Sequence, residues 1–204
     1  MNRNISAIVF DLGNVLIPFD YSKMINKLDE LKPALGQRFA KFYKNNYQIH
    51  RGFEKGIIPE KEFLRLMIEA CEFAIDELIF CKLFSGVFTV DEKVVSLLPI
   101  LKKNYKLFLL SNTNPIHREY GYKQYDFINI FDKLFLSYEV GYLKPEKEIY
   151  KAVEKYSNLP SEELIFIDDI KEYVEGAKSL GWDGIKYFNY DQLMVEFKNR
   201  NILI

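Results

Sequence analysis

From about residue 91 to residue 199 the chain alternates between short apolar runs and longer stretches of helical periodicity, and few folds accommodate that pattern. The spacing predicts a helix over 91–104, a strand over 106–110, helical material to 131, a strand over 133–137 and a helix over 145–157. A strand over 163–167, a helix over 170–180, a strand over 184–188 and a helix over 190–199 complete it. Strands separated by helices return by crossovers, which makes them parallel and covers both faces of the sheet. The expected fold class is therefore α/β, a Rossmann-like parallel sheet core flanked by helices.

The N-terminal part supplies one more strand. Residues 5–11, Ile-Ser-Ala-Ile-Val-Phe-Asp, form a near-continuous apolar run that delivers the Asp11 carboxylate to its end, the pattern of a buried strand presenting a nucleophile or a metal ligand. Residues from about 21 to 86 contain no convincing strand but several helical patterns, among them Tyr21 to Lys32 and Glu60 to Phe73. Pro59, with Glu60 and Glu62 in the first turn, suits the start of the latter. A helical block is thus inserted after the first strand. Its connections are expected near 16–20 and 84–90, where Pro18 and Gly86 interrupt the patterns.

Charge and length exclude several functions. With 28 basic and 29 acidic side chains in 204 residues there is no global field to attract nucleic acid or an anionic membrane, so any anion must be bound locally. Aromatic residues reach 16%, and segments such as Phe39-Ala-Lys-Phe-Tyr-Lys44 read as amphipathic helices with aromatic inner faces. Cys71 and Cys81 have neither metal-site spacing nor the density of a secreted scaffold, and are expected to be reduced, buried and structural. No apolar run approaches the ~18 residues of a membrane span, and the N-terminus lacks the apolar core of a signal peptide, so a cytoplasmic protein is expected. Oligomeric state is not legible.

Three strands of the alternating part lead to polar residues. Lys106–Leu110 meets Ser111-Asn112-Thr113-Asn114, Lys133–Leu136 leads toward Lys144-Pro145, and Glu163–Ile167 meets Asp168-Asp169. In a parallel sheet these sets, with Asp11, gather at the carboxyl edge where such sheets bind ligands. Three carboxylates, a hydroxyl, backbone amides and an ammonium suit a phosphate with a hard divalent cation.

In this order and with these flanks the set resembles the haloacid dehalogenase-like superfamily of aspartate-nucleophile hydrolases, in its magnesium-dependent phosphatase branch. Asp11-Leu-Gly-Asn-Val15, Leu110-Ser-Asn-Thr-Asn114 and Asp168-Asp169 look closest to the subgroup containing glucose 1-phosphate phosphatases. The resemblance implies that Asp11 is the nucleophile, that Ser111 with the amides of Asn112 and Thr113 cradles phosphate, and that Lys144 neutralises nucleophile and phosphate. It also implies that Mg2+ is held by Asp11, the Gly13 carbonyl, Asp169 and, through water, Asp168. The helical block would be the superfamily's small cap, residues 18–87, on a core of 1–17 and 88–204. The implied activity is hydrolysis of a small phosphorylated metabolite, such as a sugar phosphate, through an aspartyl-phosphate. The alternatives are a phospho-ligand binding or regulatory protein with weak turnover and a metal-independent haloacid dehalogenase. Against the latter stand Gly13, where dehalogenases carry tyrosine, and the acidic pair.

Two positions depart from the family pattern. The second Asp of the first motif, which protonates the leaving group and later activates water, is replaced by Gly13, so another group serves, turnover is slow, or turnover is lost. Asp20 is a candidate substitute, and the simpler reading makes it the N-cap of the helix starting near Tyr21. Tyr173 stands where relatives often carry Asn or Asp near the metal. Candidate substrate contacts in the cap are His50, Arg51, Glu54 and Lys55, with His117 and Arg118 shortly after the Ser111 loop.

Overall fold

The computed structural model describes residues 4–204, and its centre is β1 (Ala7–Phe10), buried at every residue. β2 (Lys106–Ser111), β3 (Lys133–Leu136), β4 (Leu164–Asp168) and β5 (Asp183–Lys186) complete a five-stranded sheet of order β3-β2-β1-β4-β5. All its pairings are parallel, with Phe10 in register with Leu109 on one side and Ile167 on the other. The chain order reverses at β1, so the ends of β1, β2 and β4 face one crevice.

The helices cover both faces. Between β1 and β2 lie α1 (Ser22–Leu31), α2 (Leu35–Asn45), α3 (Tyr47–Glu54), α4 (Glu60–Ala70), α5 (Glu77–Ser85), α6 (Glu92–Val95) and α7 (Leu98–Leu101). α8 (Pro115–His117) follows β2, α9 (Ser137–Val140) and α10 (Lys147–Ser157) follow β3, and α11 (Lys171–Lys178) and α12 (Tyr190–Asn199) flank β5. Alternation along each strand assigns its residues to faces. Ile8, Phe10, Leu107, Leu109, Ile165 and Ile167 pack with Leu193 and Phe197 of α12, whereas Ala7, Val9, Phe108, Leu110 and Phe166 pack with Ile149, Tyr150 and Val153 of α10 and with Trp182.

The helix expected over 91–104 is instead two short helices, α6 and α7. Pro99 sits in the first turn of α7, where its missing amide costs nothing, but it could not continue a helix from α6. The segment between β2 and β3 is helical only in pieces: α8, a π-helical turn over Arg118–Tyr122 and a 3-10 turn over Asp126–Ile130.

The helices α1 to α5 surround an apolar cluster of their own, in which Phe53 stacks on Phe63 at 4.1 Å and Phe80 on Phe84 at 5.2 Å. Phe63 is fully buried, and truncating such a ring to alanine costs about 3–5 kcal/mol. Cys71 and Cys81 are free thiols buried in this cluster. The chain enters and leaves the block along two segments that run side by side, with Asp20 N donating to the Val87 carbonyl (3.0 Å) and Thr89 N to the Pro18 carbonyl (2.9 Å). Gly56, at φ +74°, closes the approach to the core, since a Cβ there would lie 2.6 Å from the Tyr138 carbonyl oxygen. Among the described residues no helix is long and apolar enough to cross a membrane.

Candidate active site

Strand ends place the chemistry. Asp11 directly follows β1, and Asp168 is the last residue of the adjacent β4, so two carboxylates emerge side by side from the buried centre of the sheet. Lys144 arrives from the loop after α9 and buries its ammonium between them, with Nζ 2.7 Å from Asp11 Oδ1 and 2.7 Å from Asp168 Oδ2. Only 1% of Lys144 is exposed. Its backbone is clamped as well: Lys144 N donates to Asn112 Oδ1 (2.8 Å), Asn112 Nδ2 donates to the Lys144 carbonyl (3.2 Å), and the following peptide to Pro145 is cis.

The acidic pair divides its labour. Asp168 Oδ1 accepts from Ile170 N (2.7 Å), capping the turn into α11, while Oδ2 takes Lys144, so both oxygens are engaged and the residue is wholly buried. Asp169 is half-buried and accepts only a longer bond from Asn14 Nδ2 (3.2 Å). One carboxylate oxygen from each of Asp11, Asp168 and Asp169 lies within 4.8 Å of the others. Three carboxylates against one ammonium leave two uncompensated negative charges, which one divalent cation balances, and all the donors are hard oxygens. The set fits Mg2+.

Titration reflects the same imbalance. Burial pushes the Asp11 carboxyl up to about 8; Lys144 pulls against it, and Asp168 and Asp169 add repulsion. Burial alone would lower the Lys144 ammonium, but Asp11 and Asp168 outweigh it and hold it above the ordinary lysine value. Asp169 is raised by burial and by Asp168. Tyr173, at the second departure from the family pattern, puts its ring 5.2 Å from Lys144 Nζ, and Phe166 lies at 5.3 Å, so the ammonium also rests against two aromatic faces.

Ser111 ends β2 with 3% exposure, and its hydroxyl makes only a 3.4 Å contact to the Asn112 carbonyl. The amide of Thr113 departs from expectation. It donates to Ser137 Oγ (3.0 Å), and that hydroxyl lies 2.6 Å from the Glu54 carbonyl oxygen in α3, so it ties the β2 loop to the helical block instead of facing a ligand. Ser137 escaped the sequence reading although it stands directly after a strand, as Asp11 and Asp169 do.

Gly13 has an ordinary backbone, and a Cβ there would meet only the half-exposed Phe19 ring, at 3.2 Å. Asp20 is exposed and committed to Ser22, accepting from its amide (2.9 Å) and its hydroxyl (2.7 Å), as a residue initiating α1 does. It does not line the cavity described next.

A cavity of about 300 Å3 separates the helical block from the sheet edge. Gly13, Ser111, Asn112 and Thr113 form its core side, and Tyr43, Tyr47, His50 and Glu54 its other side. His50 and Glu54 are buried and paired (Nε2 to Oε1, 3.0 Å), and Arg51 holds the second Glu54 oxygen (2.9 Å) while reaching the Lys144 carbonyl (3.4 Å). Lys55 pairs with Glu146 in the loop after Lys144 (2.7 Å). His117 is buried against Phe84, its Nε2 3.0 Å from Tyr21 Oη, and burial lowers its imidazole well below the usual value. Arg118 points elsewhere, to Tyr138 and Glu139.

Comparison with known proteins shows the family and the fold. The model of the haloacid dehalogenase-like hydrolase family matches residues 5–181. Over 189 residues the chain is 30% identical to the D-ribitol-5-phosphate phosphatase of Bacteroides thetaiotaomicron, covering 88% of this chain and 90% of the relative. It is 27% identical to the phosphorylated carbohydrates phosphatase of Thermotoga maritima, covering 88% and 83%. A HAD-family enzyme from Bacteroides thetaiotaomicron, solved with magnesium and inorganic phosphate, superposes with a TM-score of 0.79 at 28% identity, covering 93% of this chain and 98% of that one.

Proposed function

The chain belongs to the haloacid dehalogenase-like hydrolase family, and from that premise we propose that it is a magnesium-dependent phosphomonoester hydrolase acting on a small phosphorylated sugar or sugar alcohol through an aspartyl-phosphate. The observation that carries this reading is the Lys144 ammonium set between Asp11 and Asp168 at 2.7 Å each, with Asp169 alongside. That is a nucleophile with its counter-charge in place and a divalent cation's worth of negative charge left over.

An Asp11 oxygen attacks phosphorus in line with the ester oxygen; the O–P bond to Asp11 forms as the bond to the leaving oxygen breaks, and that oxygen takes its proton from water to depart as the alcohol. Lys144 offsets charge on the nucleophile and the incoming phosphoryl group, and the Ser111 hydroxyl donates to a phosphoryl oxygen. Mg2+ bound by Asp11, Asp169 and the Gly13 carbonyl would draw charge from the phosphoryl oxygens. Water then attacks the phosphorus of the aspartyl-phosphate, releasing inorganic phosphate and restoring Asp11. Residues 18–87 act as the cap over this site, on a core of 1–17 and 88–204.

Gly13 favours a second reading, a phospho-ligand binding protein with weak turnover, because the site lacks the usual carboxylate for proton transfer and Asp20 is occupied at Ser22. A panel of phosphorylated metabolites assayed with magnesium and with chelator, using the Asp11→Asn protein as blank, separates the two. Magnesium-dependent phosphate release above the blank supports the hydrolase. Metabolite binding without release supports the binding protein.

A further inference from the structure

We infer that Tyr43 and His50 read hydroxyl groups on the leaving group, so that the preferred substrates are phosphate monoesters of polyols rather than of hydrocarbon alcohols; this deepens the phosphatase reading above and rests on it. Both residues line the cavity that Ser111, Asn112, Thr113 and Gly13 border, Gly13 lying close to Asp11 along the chain, and it is the space into which we place the leaving group. Among the described residues, Tyr43 Oη and His50 Nδ1 are buried and make no hydrogen bond of good geometry, the Tyr21 hydroxyl lying near Tyr43 Oη. Buried polar atoms are almost always paired, and those that are not mark a strained site or one that a ligand completes.

Apart from the Ser111 hydroxyl, which faces the phosphate side, several buried polar groups of the lining are paired internally. Tyr21 Oη meets His117 Nε2 (3.0 Å), Tyr122 Oη meets Thr113 Oγ1 (3.2 Å), and Glu54 is held by His50 and Arg51. The unfilled capacity is therefore concentrated on two neighbouring rings, whose centroids are 5.4 Å apart. Glu54 also sets what His50 offers. Although burial alone would raise it, His50 and Arg51 hold the Glu54 carboxyl below the usual range; the carboxylate engages His50 Nε2 (3.0 Å), which leaves Nδ1 as the ring nitrogen still to be paired. Tyr43 supplies a hydroxyl that donates or accepts. An alcohol group does both and can satisfy either atom, whereas a hydrocarbon leaves both orphaned in the complex. A cavity of about 300 Å3 is at the small end of ligand pockets, which suits a leaving group of sugar size.

Steady-state kinetics of the magnesium-loaded protein on ribitol 5-phosphate, glucose 1-phosphate, phenyl phosphate and geranyl phosphate test the inference, in the parent and in Tyr43→Phe and His50→Gln. The parent should prefer one of the hydroxylated esters. In each variant the kcat/KM ratio of that ester over phenyl phosphate should fall about tenfold, mostly through KM. The melting temperature of Tyr43→Phe should equal or exceed the parent's, because it removes an unpartnered hydroxyl. A ratio that does not change, or a parent preference for geranyl phosphate, overturns the inference. Calorimetric binding of the same esters to the magnesium-loaded Asp11→Asn protein, with and without Tyr43→Phe, reads selectivity without turnover. A parent inactive on every ester yet still selective in binding would sink the phosphatase reading and leave this one standing; equal affinity for ribitol 5-phosphate and phenyl phosphate would sink this one.

Discussion

Lys144 Nζ lies 2.7 Å from Asp11 Oδ1 with 1% of the lysine side chain exposed, so the nucleophile and its counter-charge are buried as one unit. Breaking a buried pair by removing one partner typically costs about 3–5 kcal/mol, because the other charge is left uncompensated. Lys144→Met should therefore lower the melting temperature as well as kcat, the latter by about a hundredfold to a thousandfold. Added magnesium should recover part of the stability and little of the rate. Thermal melts and kinetics on one preparation check both, and an unchanged kcat/KM would remove Lys144 from the mechanism.

The raised Asp11 carboxyl makes stability pH-dependent. Its ordinary value is 3.8 and its folded value about 8, so the folded protein keeps a proton that the unfolded chain has released. That contribution is complete below pH 4 and is lost as pH rises through 8. Metal-free protein should melt at progressively lower temperature from about pH 5 to pH 8. Asp11→Asn should flatten that slope, and the stabilisation by magnesium should be larger at pH 8 than at pH 5. Melting curves in chelator across this range are the check; an identical slope in Asp11→Asn would assign it to other groups.

The acidic pair should separate by phenotype. Asp168 holds the turn before α11 through Oδ1 and Lys144 through Oδ2, whereas Asp169 has little but Asn14. Asp168→Ala should lose more stability and Asp169→Ala more magnesium affinity. Magnesium titration by calorimetry beside thermal melts gives both orders, and a reversed order in the titration contradicts the assignment of Asp169 as direct ligand.

Gly13→Asp should raise turnover. The backbone there is ordinary and the only close neighbour is the half-exposed Phe19 ring, so the side chain can be accommodated. A general acid-base group is worth about a hundredfold to ten-thousandfold. Asp20→Asn, by contrast, should leave kcat near the parent's, since Asp20 is spent on Ser22. A folded, magnesium-binding Gly13→Asp protein with no gain on any hydrolysed ester would show that proton transfer does not limit the rate.

Much of this was readable from residues alone, for identifiable reasons. The strands β1, β2 and β4 are short apolar runs whose two faces the flanking helices bury, and Asp11, Ser111 and Asp168 stand where those runs end. Lys144 was placed by motif order, not by geometry, because the loop that carries it is positioned by contacts such as Asn112 that no local pattern encodes. The pairing of Thr113 with Ser137 depends on two loops meeting across the sheet edge. Tyr43 reads as an amphipathic-helix aromatic, and only the packing of α2 and α3 beside the sheet edge brings it, with Tyr47, to a cavity.

The nucleophile itself is tested by a rapid-quench burst with 4-nitrophenyl phosphate, whose leaving group departs without a proton. With Gly13 in place of the usual carboxylate, hydrolysis of the aspartyl-phosphate should be the slow step. The account predicts a magnesium-dependent burst of nitrophenol stoichiometric with enzyme, accompanied by phosphate covalently attached to Asp11 in the quenched protein and absent from Asp11→Asn. A burst that persists in Asp11→Asn, or turnover with no phosphate on Asp11 at any quench time, would contradict it.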